Sequence, residues 1–529
     1  MAEKIVQQPQ TVQAQKHFSQ LPSADVERST FDRSCGWKAT MDAGYLTPFF
    51  IDEALPGDTY NVNATLFMRL ATPLKPIMDN IQADIHYFFV PNRLTWDNWE
   101  KFMGERVNPT DDPNDYTVPM ISTDLNIATQ IHTMGDYFGL PLTETSVTVD
   151  VCALPFRAMR LIYNDWYRDE NLQDSFTVST GDDGGTSSGT ALNRRNKRKD
   201  YFTSALPWPQ KGDPVYLPLG VSAPVLPNGL APSFISEDDP LGYLHQATGA
   251  GQNAEFTLDN DNGANAHFQT SGLFADLQEA TSATINDIRT SFQIQRMLER
   301  DARGGTRYIE IVLSHFNVQS ADSRMQRPEY LGGGTGQINI NPVASTVSTT
   351  DAPQASLSAT GTGVIKGGFN HSFTEHGFVI GIVSTRADLT YQNGLDRMWS
   401  RQTRYDFYWP TLAHLGEQEI KNKEVFVAGT AADEETWGYQ ERFAEYRYKP
   451  GRITGKMRSN YSESLDVWHL AQDFDALPVL NEIFIIENPP IDRVIAVPSE
   501  PQFIVDGWLK ISCTRPMPVY SVPGLVDHF

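Results

Sequence analysis

Cysteine is scarce and poorly placed for covalent or metal work: Cys35, Cys152 and Cys513 are the only three in 529 residues. An odd number of cysteines, far apart and without a C-x-x-C pair, gives neither a disulfide framework nor a zinc site, so reduced, buried thiols are expected. Long apolar runs are missing as well. The opening MAEKIVQQPQ is polar, and no run approaches the roughly 20 apolar residues of a membrane span. A soluble chain without membrane insertion, made and kept in a cytoplasm-like compartment, is the expectation. Positive charge is the third shortage. Lys and Arg number 42 against 65 Asp and Glu, a formal charge of −23, which excludes a surface that neutralises phosphate throughout.

Catalytic signatures are missing where they are sought. Gly185–Gly189 spells G-T-S-S-G around Ser187, the spacing of a nucleophile elbow, but in a Gly/Asp/Ser loop with no strand before it or helix after it. In DNDNG (Asp259–Gly263), setting Gly263 at the sixth place of a calcium loop puts Leu258 first and no Glu twelfth. His371 and His376 flank Glu375 in HSFTEH, which is not H-E-x-x-H, and GGGTG (Gly332–Gly336) lacks the lysine of a phosphate loop. No catalytic residue, metal ligand or cofactor is expected.

What the chain does have is aromatic surface: 10 Trp, 20 Tyr and 28 Phe, the material of cores and obligate interfaces. Its length allows one to three domains. Residues 1 to about 32, rich in Gln, Ser and Pro, read as an arm in which Phe18, Leu21 and Val26 lie along a neighbour. Tyr60–Leu70 alternates apolar and polar residues like a half-buried strand. Ala83–Val90 alternates too, but its second set turns apolar, so both its faces are expected to be covered. Thr95 is expected to cap a short helix carrying Trp96, Trp99, Phe102 and Met103. Phe156, Met159, Tyr163 and Trp166 recur at helical spacing.

Further on, Thr284 with Asp287 opens a helix on which Ile285, Ile288, Phe292, Met297 and Leu298 form the apolar face, ended by Gly304 and Gly305. Tyr308–Phe316, rich in Ile, Val and aromatics, reads as a buried strand. Gly332–Gly368 reads as loop. Strands are expected again at Gly377–Ser384, Thr403–Trp409, Val425–Ala428, Phe443–Tyr448, Ile483–Ile486 and Phe503–Ser512.

Several words of this sequence resemble the major capsid protein of the gokushoviruses, small bacterial viruses of the Microviridae. They are HFSQLPSADVERSTFDRS (His17–Ser34), FFVPNRLTWDNWEKFMGE (Phe88–Glu105), DYFTSALPWPQKGDPVYLPLG (Asp200–Gly220), RDARGGTRY (Arg300–Tyr308), RMQRPEYLGGG (Arg324–Gly334) and YSVPGLVDHF (Tyr520–Phe529). With the strand patterning, the resemblance implies a mainly β fold, a viral jelly-roll β-sandwich with long loop insertions and a few helices. Residues 1–44 would be an N-terminal arm, 45–220 and 282–529 the two parts of the shell domain, and 221–281 a surface insertion. The resemblance also implies self-association of sixty copies into a T=1-like icosahedral shell around circular single-stranded DNA. A small basic DNA-binding virion protein, a host-cell receptor and assembly in a bacterial cytoplasm complete that picture. The competing reading is a carbohydrate-processing enzyme on a β-sandwich, which needs two convergent carboxylates, and no such pair is identifiable.

Two groups of residues carry the expectations about sites. Arg194, Arg195, Lys197, Arg198 and Lys199 set five cations within six positions of an acidic chain. They are candidates for contact with the DNA backbone, with Tyr201, Phe202 and Trp208 as stacking rings, the alternative being a solvated loop. The segment 221–281 is dominated by Gly, Asn, Asp, Ser and Pro, so it cannot supply core strands. Its acidic SEDD (Ser236–Asp239) and DNDNG runs favour the outside of a shell. The resemblance implies a protrusion there, near the threefold axes, with Pro224, Leu226, Leu230, Phe234, Leu241, Tyr243 and Leu244 as candidates for packing between copies.

Overall fold

The computed structural model describes residues 27–520 apart from 107, 109, 111, 185–189, 216–224, 228–232, 237–243, 247–255, 259–265, 271–272, 276–284, 306–307, 318–325 and 349–353. Nine strands form one antiparallel sheet: β1 (Ser29–Asp32), β2 (Cys35–Met41), β3 (Thr47–Ala54), β4 (Thr59–Leu70), β5 (Ile81–Pro91), β6 (Glu329–Ala344), β7 (Leu357–Ser372), β8 (Gly377–Ala387) and β9 (Phe503–Arg515). Eight of them run in the order β1-β9-β4-β7-β6-β5-β8-β3, and β2 pairs with β9 as well. Contacts divide the chain into two compact units, one of Met1–Pro207 with Ala321–Phe529 and one of Trp208–Ser320.

The alternation of β4 is realised in full. Tyr60, Val62, Ala64, Leu66, Met68 and Leu70 are buried, and β9 answers with Phe503, Val505, Leu509 and Ile511. These residues share one core with Ile81, Ala83, Ile85, Tyr87 and Phe89 of β5 and with Val379 and Val383 of β8. The sheet therefore curls on itself, and its two arms close like a sandwich on aromatic contacts. Tyr87 meets Phe369 at 5.0 Å between ring centroids, Phe89 meets Phe373 at 4.6 Å, and Trp37 of β2 meets Phe49 of β3 at 5.8 Å. Each such ring contributes several times the roughly 0.8 kcal/mol of one buried methylene.

Strand β5 is apolar on both sides for the reason anticipated. Its other face, with Phe88 and Val90, joins Phe378, Ile380 and Ile382 of β8 under helix α1 (Leu154–Ile162), which brings Phe156, Met159 and Ile162. The helical stripe continues as a π-turn through Tyr163–Tyr167. Thr95 does not start its helix but closes a turn, Asn92–Thr95, its hydroxyl donating to the Asn92 carbonyl at 2.8 Å; a second turn follows at Trp99–Phe102.

Curling depends on β6, which changes partners along its length. Residues 329–338 pair with β5, across a bulge at Leu331 just before Gly332 (φ 151°), and residues 339–344 pair with β7. Within the half paired with β5, a Cβ on Gly334 would lie 2.0 Å from the Lys366 carbonyl oxygen. The two ends of the glycine-rich stretch expected to be loop thus lie in two of the longest strands, 16 residues each. Glycine there removes side chains that would hold the backbones apart.

Four expected strands are turns. Thr403–Trp409 contains a 3-10 turn (Arg404–Asp406), Val425 ends a helical turn (Asn422–Val425), Phe443 stands at φ 61° before another (Ala444–Tyr446), and Ile483–Ile486 is largely helical (Glu482–Ile485). The last three runs supply a third cluster, in which Val425, Phe484 and Ile485 meet Tyr201, Phe202 and Trp437, whereas Tyr405, Phe407, Tyr408 and Trp409 of the first are exposed.

The start of the chain is tied down from Ser29 onward, since β1 and β2 both pair with β9; Phe18, Leu21 and Val26 lie outside the described residues. Cys513 is buried and Cys152 half-buried, whereas Cys35 is exposed on the edge strand β2, contrary to the expectation for all three thiols.

In the second unit, three short antiparallel pairs are nested: Val225–Pro227 with Leu273–Ala275, Ser233–Ser236 with Ala266–Thr270, and Leu244–Gln246 with Phe256–Leu258. Such nesting is one interrupted hairpin, whose strands pair with one another and not with the nine-stranded sheet. Helix α2 (Ile285–Gly304) follows and stops at Gly305, φ 93°. Tyr308–Phe316, expected as a strand, is helix α3, held on α2 by a 2.7 Å contact of His315 Nε2 with Asp301. Short apolar runs do not reveal their period, and packing against α2 decides this one.

Candidate functional site

The cation run Arg194–Lys199 is extended and laced to distant backbone: Arg195 N–H donates to Gly44 O at 2.6 Å and Lys197 N–H to Ile485 O at 2.8 Å. An extended segment sends alternate side chains to opposite sides. Arg195 and Lys197 accordingly turn inward. Arg195 donates to Asp84 of β5 at 2.6 Å and to Ser384 Oγ of β8 at 2.8 Å. Lys197, 6% exposed, reaches Gln472 at 2.8 Å over the Phe484 ring, and burial pushes its ammonium down to about 8. Arg194 stacks on Tyr45 and donates to Asn488 at 2.7 Å. Arg198 and Lys199 are exposed, bonded to Gln82 and Asp169 respectively. The run is therefore chiefly a set of internal ties, and two of its five cations face outward.

The rings expected to stack on bases are equally committed. Tyr201 and Phe202 are 7% and 6% exposed inside the third cluster, and Trp208 is half-buried. Of the candidates on the insertion, Pro224, Leu230, Leu241 and Tyr243 lie outside the described residues; Phe234 and Leu244 stand in the nested ladder, and Leu226 is exposed. Thr284, Ser187 and DNDNG also lie outside them. HSFTEH disperses: His371 faces Glu329 at 3.5 Å, Glu375 binds Arg93 at 2.6 Å, and the His376 ring meets Trp99.

The charged centre that sequence reading missed surrounds Asp84, 2% exposed. It accepts from Arg195, from Thr335 Oγ1 at 2.7 Å, and pairs with Arg386 at 3.1 Å. Burial alone would raise its carboxyl, but the Thr335 hydrogen bond and the two guanidinium groups outweigh that and hold it below the usual range. A charged residue on each of two largely apolar strands, Asp84 and Arg386, was the available signal. Next to it, His86 contacts the Tyr167 hydroxyl at 2.7 Å, and burial, reinforced by Arg195, pushes its imidazole down to about 4. The sign is that of a base kept neutral when folded. Its stabilising contribution is complete above the unfolded value near 6.5 and is lost as pH falls towards 4, by roughly 3 kcal/mol at the lower end. A His86→Gln subunit should therefore show a shallower loss of melting temperature between pH 7 and 4 than the parent; parallel curves would remove His86 as the cause.

Two buried carboxylates do approach each other, Glu424 and Glu445, but both are consumed by arginine. Arg397 pairs with Glu424 at 2.8 Å and Arg401 with Glu445 at 3.4 Å. Burial pushes Glu424 up while Arg397 opposes it. This is a tie between loops in which each carboxylate is engaged by a guanidinium, so the two do not stand as the acid and base pair that glycoside hydrolysis needs. Among the described residues there is no metal-ligating cluster and no helix long and apolar enough to cross a membrane.

Comparison with known proteins agrees with this geometry. The model of the family described as capsid protein (F protein) matches residues 19–525. Capsid protein VP1 of Bdellovibrio phage phiMH2K is 48% identical over 97% of this chain and 98% of its own. Capsid protein VP1 of Chlamydia phage 1 is 44% identical over 96% and 97%, and that of Spiroplasma virus 4 is 35% identical over 92% and 93%. The resemblance read from the sequence words is borne out. A curled β-sandwich crosslinked by internal ion pairs, matched almost end to end by phage shell proteins, belongs to the capsid protein (F protein) family, and its work is structural, not enzymatic.

Proposed function

We propose that sixty copies of this chain close into a T=1-like icosahedral shell around circular single-stranded DNA inside a bacterial host. A small basic virion protein offsets the genome charge, and residues 221–281 stand outside as the projection that meets the host receptor. The observation that carries self-association is the apolar surface that α2 leaves open: Ile285, Phe292 and Met297 are 70%, 63% and 49% exposed within one copy. Apolar residues of that size on one helix call for a partner surface, and a second copy supplies one. The charge of −23 supports a separate basic protein, because this chain lacks the cations to neutralise a genome. The nested pairing of 225–275 supports an independent projection, since its strands add nothing to the main sheet.

Electron micrographs of purified material should show uniform small shells; persistent monomers would overturn the reading. For the projection, residues 221–281 are replaced by a short Gly/Ser linker and the particles are mixed with host cells. Shells that form in normal yield but adsorb only at background level are expected, and undiminished adsorption would remove the attachment role.

A further inference from the structure

We propose that the outward face of β2, β9, β4 and β7 is the surface on which single-stranded DNA lies, an inference that rests on the container reading above. In β4 and β9 buried and open residues alternate, so Asn61, Asn63, Phe67 and Arg69 share one open face with Ile504, Asp506, Trp508, Lys510 and Ser512. On it stand Phe67 and Trp508, 45% and 57% exposed. Trp508 lies opposite Thr65, and Phe67 opposite Asp506, which makes the two rings diagonal neighbours on adjacent strands, about 7–8 Å apart. That spacing lets one ring take one base and its neighbour the next.

The charge of this face opposes that of the chain. Lys38, Arg69, Lys366 and Lys510 stand against two carboxylates, Asp32 and Asp506. Asp506 is neutralised by Lys38 at 2.9 Å. Arg69 and Lys366 make no ion pair among the described residues, and Lys510 acts electrostatically on Asp32. Lys510 pairs across to Asn63, and Lys366 to Thr65, so cations border the rings along the strands. A protein of −23 that leaves cations interleaved with exposed aromatic rings on an open sheet face has made the arrangement suited to phosphates and unpaired bases. A duplex would leave the rings unused, because its bases are already stacked. The cation run at 194–199, spent largely on internal ties, does not compete for this role.

The first test uses unaltered particles. They are irradiated with ultraviolet light, digested, and searched by mass spectrometry for peptides carrying nucleotide adducts. Adducts at Phe67 and Trp508 are expected; particles that contain DNA but yield adducts only elsewhere, such as around Arg198 and Lys199, overturn this face while leaving the container reading intact. Particles holding no nucleic acid overturn both. The second test measures binding of purified full-length subunits to oligothymidylate across a salt series. The triple variant Arg69→Gln, Lys366→Gln, Lys510→Gln should lower the salt slope by about 2, from about 0.7 per lost phosphate contact on a single strand. Trp508→Ala should weaken binding by about fivefold or more. All of these residues are on the outside of the sheet, so melting temperatures should stay near the parent's. Unchanged slope and affinity would overturn the proposal.

Discussion

Subunits carrying Gly334→Ala with Gly368→Ala should fail to accumulate as folded protein, and no shells should form. A Cβ at Gly334 would lie 2.0 Å from the Lys366 carbonyl oxygen, and one at Gly368 would lie 2.1 Å from the Val62 carbonyl oxygen. Both obstacles are main chain, so no side-chain rotation relieves them; β6, β7 and β4 would have to part. Overpacking a core with a methyl group usually costs about 1–3 kcal/mol, and a clash with fixed backbone belongs at or beyond the upper end. Two such sites consume most of a typical stability of about 5–15 kcal/mol. Gly36→Ala is the control, since its nearest neighbour would be 3.8 Å away on the open edge strand β2. Soluble yield, thermal unfolding and sedimentation of particles provide the readings. Normal shells from the double variant would mean that β6 and β7 do not approach as described.

The same glycines explain what was legible in the sequence and what was not. Strands β4, β5, β8 and β9 announce themselves because their side chains alternate or saturate with apolar groups, and side-chain pattern is the only signal a sequence carries about a strand. Strands β6 and β7 work through the absence of side chains, so Gly332–Gly368 looks like loop while forming the corner of the fold. The runs at Val425, Phe443 and Ile483 mislead for the opposite reason. They are apolar enough for strands, yet they are single turns whose residues serve a cluster assembled from segments 200 positions apart. The candidate site divides in the same way. The cations at 194–199 were visible as a run, but their partners Asp84, Ser384, Gln472 and Asn488 are scattered along the chain, and only folding reveals that the charges are used internally. The sheet face with Phe67 and Trp508 was hidden by sequence separation of a different kind, since its strands come from both ends of the chain.

Removing the buried charge at Asp84 should damage the subunit nearly as much as crowding the glycines. Its carboxylate lies between Arg195 at 2.6 Å and Arg386 at 3.1 Å, with Thr335 donating a third contact. Asp84→Ala leaves two guanidinium groups confined together without a counter-charge, a loss expected at about 3–5 kcal/mol, whereas the double change Asp84→Ala with Arg195→Gln should recover part of it by removing one of them. Acid provides an independent reading. Because the folded pKa of Asp84 is held below its unfolded value, its contribution is fully present above the unfolded value near 4 and is lost as pH falls through the lower folded one. This window lies below the one assigned to His86, so the two groups separate on a single titration. The parent should lose stability in two stages, His86→Gln should abolish the upper stage, and Asp84→Ala should abolish the lower one from an already reduced start. For the same reason, neutralising Arg195 and Lys197 should reduce folded yield before any effect on DNA can be measured. A subunit with Asp84→Ala that melts like its parent and keeps the lower acid stage would show that this buried cluster does not hold β5 to β8.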